Sequence, residues 1–281
     1  MKIINSVSDM QAFSKKEKLH GKKIGFVPTM GFLHKGHLSL VEEARSQNEI
    51  VVVSIFVNPT QFGEGEDFDI YPKNFHRDKE LLEEMGVDVI FYPTVDEMYP
   101  RSYNTYVDVY KVTEKLCGAS RPGHFKGVTT VVAKLFNCVL PDNAYFGLKD
   151  AQQVVVISKM VRDLHFPVTI VPCPIVREAD GLALSSRNVN LKKDQREHAT
   201  VLYQSLKKAE EMVENGCLDA EKIKKSIADK IKTYPQAEID YVEIVNFDTL
   251  EDIQVLKGKN LIALAVKIGK VRLIDNIIVE V

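Results

Sequence analysis

Two histidines flank a lysine and a glycine in the run Pro28-Thr29-Met30-Gly31-Phe32-Leu33-His34-Lys35-Gly36-His37, the segment of this chain best suited to chemistry. Residues 22–28 before it read as a short buried strand ending at Pro28, and Leu38, Leu40, Val41 and Ala44 after it recur at helical spacing. A strand-to-helix turn offers free N–H groups and the positive end of a helix dipole, which suits phosphate. Gly36 has no side chain to hold a ligand away from the backbone. His34 and His37, three apart in a first helical turn, point to one side, where ring N–H groups can hold a phosphate chain and the charge that builds on it during transfer. Taken alone, such a pair reads better as incidental helix caps. The strand before, the glycine between and the helix after favour phosphate.

Four other loops carry polar groups. Val57-Asn58-Pro59-Thr60-Gln61-Phe62 holds two neutral amides, Asn58 and Gln61, that can hydrogen-bond a hydroxyl or carboxylate of a small polar substrate; an Asn-Pro turn is the other reading. Phe146-Gly147-Leu148-Lys149-Asp150-Ala151-Gln152-Gln153 is a second strand-to-helix junction, with Gly147 ending the strand, Asp150 able to cap the helix and Lys149 at the strand's C-terminal end. Ala183-Leu184-Ser185-Ser186-Arg187-Asn188 puts two hydroxyls and a guanidinium in sequence, either an anion clamp or a solvated serine-rich turn. Arg121-Pro122-Gly123-His124-Phe125-Lys126-Gly127 is locally basic and fits an anion contact or a plain loop equally well. The coincidence of these loops, each at an element boundary, argues for a nucleotide and a small acid held together.

The elements that must position these loops alternate. Residues 50–57 are an almost unbroken apolar, β-branched run, as expected of a strand covered on both faces. Residues 74–85 read as a helix stopped by Gly86, 87–92 as a strand, 127–140 as a helix, 144–146 as a strand, 150–164 as a helix and 168–172 as a strand. This alternation predicts an α/β fold with a doubly wound parallel sheet, ligand loops on one edge, over residues 1–175. After Pro172 and Pro174 the pattern changes to a polar loop at 177–190, charged helices at 192–215 and 219–233, and strands at 239–246, 261–268 and 271–280. Residues 176–281 therefore read as a smaller C-terminal α+β domain, expected to close over the active site.

Composition narrows the function classes. With 45% hydrophobic and 27% charged residues, the chain of 281 residues has the make-up of a globular protein with a full core. A net charge of −2 is too small to hold nucleic acid by bulk attraction. Cys117, Cys138, Cys173 and Cys217 lie far apart without a C-x-x-C pair, so they read as reduced thiols rather than zinc ligands. No apolar run approaches the length of a membrane span and the N-terminus lacks a signal-peptide pattern. The expectation is a cytoplasmic protein with small-molecule partners, no nucleic acid and no membrane.

Together, the H-x-G-H turn and the distant serine–basic loop resemble the HxGH nucleotidylyltransferase superfamily, shared with class I aminoacyl-tRNA synthetases. More narrowly the chain is similar to the pantoate–β-alanine ligase (pantothenate synthetase) family, most densely at residues 28–37, 58–62, 121–128, 146–153 and 176–188. The resemblance implies a Rossmann-like domain and an ATP-dependent ligase that joins (R)-pantoate to β-alanine through a pantoyl adenylate, releasing AMP and pyrophosphate, in pantothenate biosynthesis. It implies catalytic roles for His37, His34 and Lys149. It places ATP on Met30, Gly31, His34, Gly36, His37, Gly147, Leu148, Lys149, Asp150, Val176, Leu184, Ser185, Ser186 and Arg187. It places pantoate on Gln61 and Gln153, with Gln61 bordering β-alanine, beside the Asn58 already read from its loop. It also implies Mg²⁺ arriving with ATP and a homodimer. The protein's metal ligands stay unassigned: Asp78 lies where one would be sought, but Arg77 and Leu81 beside it are poor ligands. Phe32, Lys73 and Leu148 stand where the family more often has a small residue, an arginine and an acidic residue. An adenylyltransferase acting on a phosphate acceptor would want a more basic acceptor site, and a non-catalytic descendant would be expected to lack one of His34, His37, Lys149 and Arg187.

Overall fold

The structure is a computed structural model describing residues 1–63, 65–66 and 68–281. In chain order its elements are β1 (Lys2–Ile4), α1 (Val7–Leu19), β2 (Ile24–Thr29), α2 (Lys35–Gln47), β3 (Ile50–Ile55), α3 (Phe75–Glu84), β4 (Val89–Phe91), α4 (Val95–Met98), α5 (Cys117–Ser120) and α6 (His124–Val139). There follow β5 (Asn143–Gly147), α7 (Ala151–Asp163), β6 (Thr169–Cys173), α8 (Lys193–His198), α9 (Val201–Glu214), α10 (Ala220–Ile231), β7 (Ala237–Asn246), β8 (Lys259–Ile268) and β9 (Val271–Glu280).

Contacts divide the chain into two compact units. The first comprises Met1–Tyr110, Arg121–Leu148 and Val156–Pro174. Its strands lie parallel in the order β1-β4-β3-β2-β5-β6. Every residue of β3 is buried, which its unbroken apolar run requires of a strand covered on both faces. On one face Val51, Val53 and Ile55 join Val27, Leu33, Leu40, Val41, Ala44 and Leu82 in a core. Chain order reverses between β2 and β5, and the crevice beyond the C-terminal ends of two such strands is where doubly wound sheets take ligands. The H-x-G-H turn follows β2 and the Gly147 junction follows β5.

The second unit comprises Lys111–Ser120, Lys149–Val155 and Ile175–Val281. The antiparallel sheet β7-β8-β9 is its floor. Leu202, Leu206 and Ala209 of α9 and Ile223, Ile227 and Ile231 of α10 share a core with Ile262, Leu264 and Val266 of β8. The two short segments are tied to each other by the buried Gln152. Its Oε1 accepts from Cys117 N at 3.0 Å, and its Nε2 donates to the carbonyls of Val112 at 3.0 Å and Lys115 at 2.7 Å.

Some features depart from the sequence reading, the short helices α4 and α5 among them. The helix expected over 192–215 is two helices, α8 and α9, that meet at Ala199–Thr200. The backbone there stays close to helical, with φ and ψ of −61° and −21° at Ala199, and −64° and −17° at Thr200. At the N-terminus, β1 and α1 were not anticipated. Only Met10 and Ser14 are buried along α1, so it carries no apolar stripe for a periodicity argument to find.

Candidate active site

The loop leaving β2 is held open by a carboxylate. Thr29 Oγ1 donates to Ser54 O at 2.8 Å and accepts from Gly31 N at 3.1 Å, fixing the turn's first step. Gly31 and Phe32 then take φ of +81° and +51°, so successive amides face the same way. A Cβ at Gly31 would lie 3.0 Å from the Ile55 side chain and 3.1 Å from Asp78 Oδ2, which adds crowding to an already glycine-favouring backbone. The amides of Phe32 and Leu33 donate to the two oxygens of Asp78, each at 2.7 Å. Arg77 donates to Leu33 O at 3.0 Å and sets its guanidinium 5.7 Å from the Phe32 ring centre. Asp78 is 1% exposed; burial pushes its carboxyl above the ordinary value of 3.8, opposed by the two amide bonds and by Arg77. Both its oxygens thus have backbone donors.

His34 and His37 form the cap of α2. His34 is the N-cap, its Nδ1 accepting from Gly36 N at 3.2 Å, and His37 Nδ1 accepts from His34 N at 3.3 Å. Their rings are 4.1 Å apart and inclined by 36°. The cap reading and the phosphate reading of this pair are therefore not alternatives. An Nδ1 that accepts an amide proton carries none in the neutral ring, so each neutral imidazole has its proton on Nε2, the nitrogen facing away from the capped backbone.

The amide pair after β3 also separates into two roles. Pro59–Gln61 is a 3-10 turn capped by Asn58, which is 1% exposed. Asn58 Oδ1 accepts from Thr60 N at 3.4 Å, Thr60 Oγ1 at 3.0 Å and Tyr99 OH at 2.8 Å. Its Nδ2 donates to Gly127 O at 3.2 Å and Gln61 Oε1 at 3.1 Å. Asn58, expected to contact substrate, is buried among these partners and is bonded to Gln61. The half-buried Gln61 directs its Nε2 to Met30 Sδ at 3.2 Å.

Arg121 and His124, whose role the sequence left open, converge on the Gln61 backbone. His124 Nδ1 lies 2.8 Å from Gln61 O and Arg121 Nη2 lies 3.4 Å from it. A carbonyl only accepts, so His124 carries a proton on Nδ1 and its Nε2 accepts from Arg121 Nη1 at 3.1 Å. Arg121 also grips Glu66 through Nε at 2.7 Å and Nη2 at 2.5 Å, and these bonds keep that carboxyl below its usual range against the opposing effect of partial burial.

At the entry to α7, Leu148–Asp150 form a 3-10 turn. Lys149 Nζ lies 3.7 Å from Asp150, and its carbonyl accepts from Asn276 Nδ2 at 3.0 Å. Gln153 is half-buried. Val176 and Leu184, separate in sequence, are bonded: Leu184 N donates to Val176 O at 3.0 Å, beside a bridge between Arg177 and Ala183. Ser185 caps the 3-10 turn Ser186–Asn190 by accepting from Arg187 N at 3.2 Å.

Sequence reasoning missed Tyr99 and Arg177 and gave Asp78 no structural part. Asp78 had a faint signal, a carboxylate in a helix's first turn. The other two had none, since their partners lie 41 and 98 residues away.

A parallel sheet that reverses at β2 and β5, with an H-x-G-H cap opening the helix after β2, defines a nucleotide-binding α/β enzyme of the HxGH nucleotidylyltransferase type. The sequence profile of the family described as pantoate-beta-alanine ligase matches residues 2–278, and the chain belongs to that family. It is 59% identical over 281 residues to the pantothenate synthetase of Acetivibrio thermocellus, covering all of both chains. It is 58% identical over 280 residues to that of Caldicellulosiruptor bescii, covering 100% of this chain and 99% of the relative. Among solved structures, pantothenate synthetase from Thermus thermophilus superposes with a TM-score of 0.94 at 46% identity over 99% of both chains. Pantoate-beta-alanine ligase from Francisella tularensis, complexed with beta-gamma ATP and beta-alanine, superposes with a TM-score of 0.81 at 37% identity over 99% of this chain and 97% of that one.

Proposed function

We infer that this chain condenses (R)-pantoate with β-alanine, driven by ATP, in pantothenate biosynthesis. The observation that carries this reading is the match to the ligase family along essentially the whole chain, with the H-x-G-H cap intact. A pantoate carboxylate oxygen attacks the α-phosphorus of ATP, the bond to the β-phosphate oxygen breaks, and pyrophosphate leaves. The amine of β-alanine then attacks the acyl carbon, AMP departs with the bonding pair, and the nitrogen sheds a proton. The first step makes the second possible, because AMP is a far better leaving group than oxide.

In this reading the Nε2–H groups of His34 and His37 donate to phosphate oxygens as negative charge grows. Lys149 serves a phosphate as a point charge and Arg187 as a planar fork. Ser185 and Ser186, with Leu184 and Val176 beside them, complete the nucleotide contacts, together with Met30, Gly31, Gly36, Gly147, Leu148 and Asp150. Gln61 and Gln153 take the acid. Among the described residues no cluster of three His, Cys, Asp or Glu is arranged to hold a metal. Mg²⁺ is accordingly proposed to arrive on the ATP phosphates, with no step assigned to a protein-held ion. A homodimer and a cytoplasmic location extend the proposal on the strength of the family resemblance. No helix among the described residues is long and apolar enough to cross a membrane.

The deciding experiment is isotope exchange of pyrophosphate into ATP. Pantoate should drive it without β-alanine. Exchange that requires β-alanine would remove the adenylate from the mechanism, and exchange driven better by another small acid would change the substrate.

A further inference from the structure

We propose that Tyr99 is a positioning residue for the acid substrate: its hydroxyl steadies the Asn58 amide, whose polarity Thr60 N–H and Gly127 C=O set, and through it the Gln61 amide, which offers only N–H donors to the ligand. This rests on the reading that Gln61 holds pantoate.

The polarity follows from groups whose direction cannot reverse. Thr60 N–H can only donate and Gly127 C=O can only accept, and they sit at opposite ends of the Asn58 amide. The oxygen of Asn58 therefore faces Thr60 and Tyr99, and its nitrogen faces Gly127 and Gln61. The atom of Gln61 receiving that second proton must be its oxygen, 3.1 Å away. The Gln61 nitrogen is left pointing outward, against the thioether of Met30 at 3.2 Å. A thioether is a weak acceptor, readily exchanged for an oxygen of a bound ligand. The family resemblance also lets Gln61 border β-alanine; this polarity suits the acceptor oxygens of an acid and gives nothing to an ammonium group.

Tyr99 is the side chain that reaches Asn58 from a distant part of the chain, 41 residues away. The Thr60 bonds to Asn58 Oδ1 are local, at 3.0 and 3.4 Å, whereas the Tyr99 bond is the shortest at 2.8 Å. The phenol ring is held by Tyr103 edge-on at 5.0 Å, by Phe56 at 6.3 Å and by the Lys134 ammonium 5.3 Å from its centre. Burial pushes its hydroxyl up to about 12, so it remains a donor at any pH in which the enzyme works.

The test is steady-state kinetics of Tyr99→Phe, which keeps the ring and deletes the donor. The KM for pantoate should rise about five- to tenfold, the effect expected from weakening one buried hydrogen bond. The KM for ATP and the melting temperature should stay near wild type. An unchanged pantoate KM, or equal deterioration in both substrates, overturns the proposal. Gln61→Glu, which puts an acceptor where the donor sat, should lose pantoate at least as badly as Gln61→Ala; retained pantoate binding overturns the polarity. If Gln61→Ala itself leaves the pantoate KM unchanged, it is the placement of the acid at Gln61 that fails.

Discussion

The guanidinium of Arg177 meets the carboxylate of Asp275 in two parallel hydrogen bonds, Nη1 to Oδ2 at 2.7 Å and Nη2 to Oδ1 at 2.9 Å. Asp275 is 2% exposed, and the same guanidinium donates to Gly181 O at 3.0 Å and stacks 4.2 Å from the Tyr203 ring centre. The hairpin that ends in Leu184–Arg187 is thereby fastened at its root to the last strand and to α9. Removing one partner leaves a buried charge uncompensated, so Asp275→Ala should destabilise the protein by about 3 kcal/mol or more. Arg177→Lys keeps the charge and loses the fork. It should raise the KM for ATP more than that for pantoate; equal effects on both would show that the fastening serves stability alone.

His34→Asn separates the two functions of its position. Asparagine is among the best N-cap residues, so α2 should survive and the unfolding free energy should stay within about 1 kcal/mol of wild type. The variant nonetheless lacks a donor at Nε2. Pyrophosphate exchange should fall about a hundredfold or more, as when one preorganised donor is removed from a developing charge. Near-normal exchange would leave His34 a cap and nothing else.

Asp78→Asn replaces one of two acceptor oxygens with a donor that confronts an amide N–H. Loss of a buried bond of this kind costs about 1–3 kcal/mol, readable in urea unfolding. The wild type should also show a pH signature. Its folded carboxyl titrates above 3.8, so between that value and the raised one the native state binds more protons than the unfolded state. This group's contribution to stability should therefore fall as pH rises through that window, then level off once the carboxyl is ionised in both states. Subtracting the pH profile of the Asp78→Asn variant from that of the wild type isolates the contribution; a difference that rises with pH there would contradict the burial argument.

Gly127 admits no side chain. A Cβ there would lie 2.2 Å from Thr60 O and 2.6 Å from Gln61 Cα, both backbone atoms that cannot rotate aside. Gly127→Ala should push the Pro59–Gln61 turn away from α6. A destabilisation of about 1–3 kcal/mol, together with a raised pantoate KM, is the expected outcome. A crystal structure of the variant with the turn unmoved would refute it.

What the sequence made legible was whatever local patterning encodes. The apolar run of β3, the glycine stop after α3 and the strand–H-x-G-H–helix order were visible because strand, turn and helix periods are short-range signals. The identity of His34 as a cap was visible only as one of two readings; the structure shows the cap, and the phosphate role belongs to the proposed function. The burial of Asn58 was not legible for a different reason. A polar side chain in a ligand-edge loop looks the same in sequence whether its amide faces outward or is enclosed by Gly127 and Tyr99. The Gln152 bonds that tie residues 112–117 to the start of α7, and the Asp275 anchor of Arg177, join residues far apart in the chain; no window of sequence contains both ends.

The two amides that Asp78 engages have a consequence for which anions the protein will tolerate. Successive backbone N–H groups that converge at a turn ordinarily make a nest for a bound oxyanion. Here the chain lodges a carboxylate of its own in that nest, and the loop carries a permanent resident rather than a vacancy. Free orthophosphate, abundant wherever ATP is used, should therefore find no seat at Phe32 and Leu33, and a crystal soaked in phosphate should show none there.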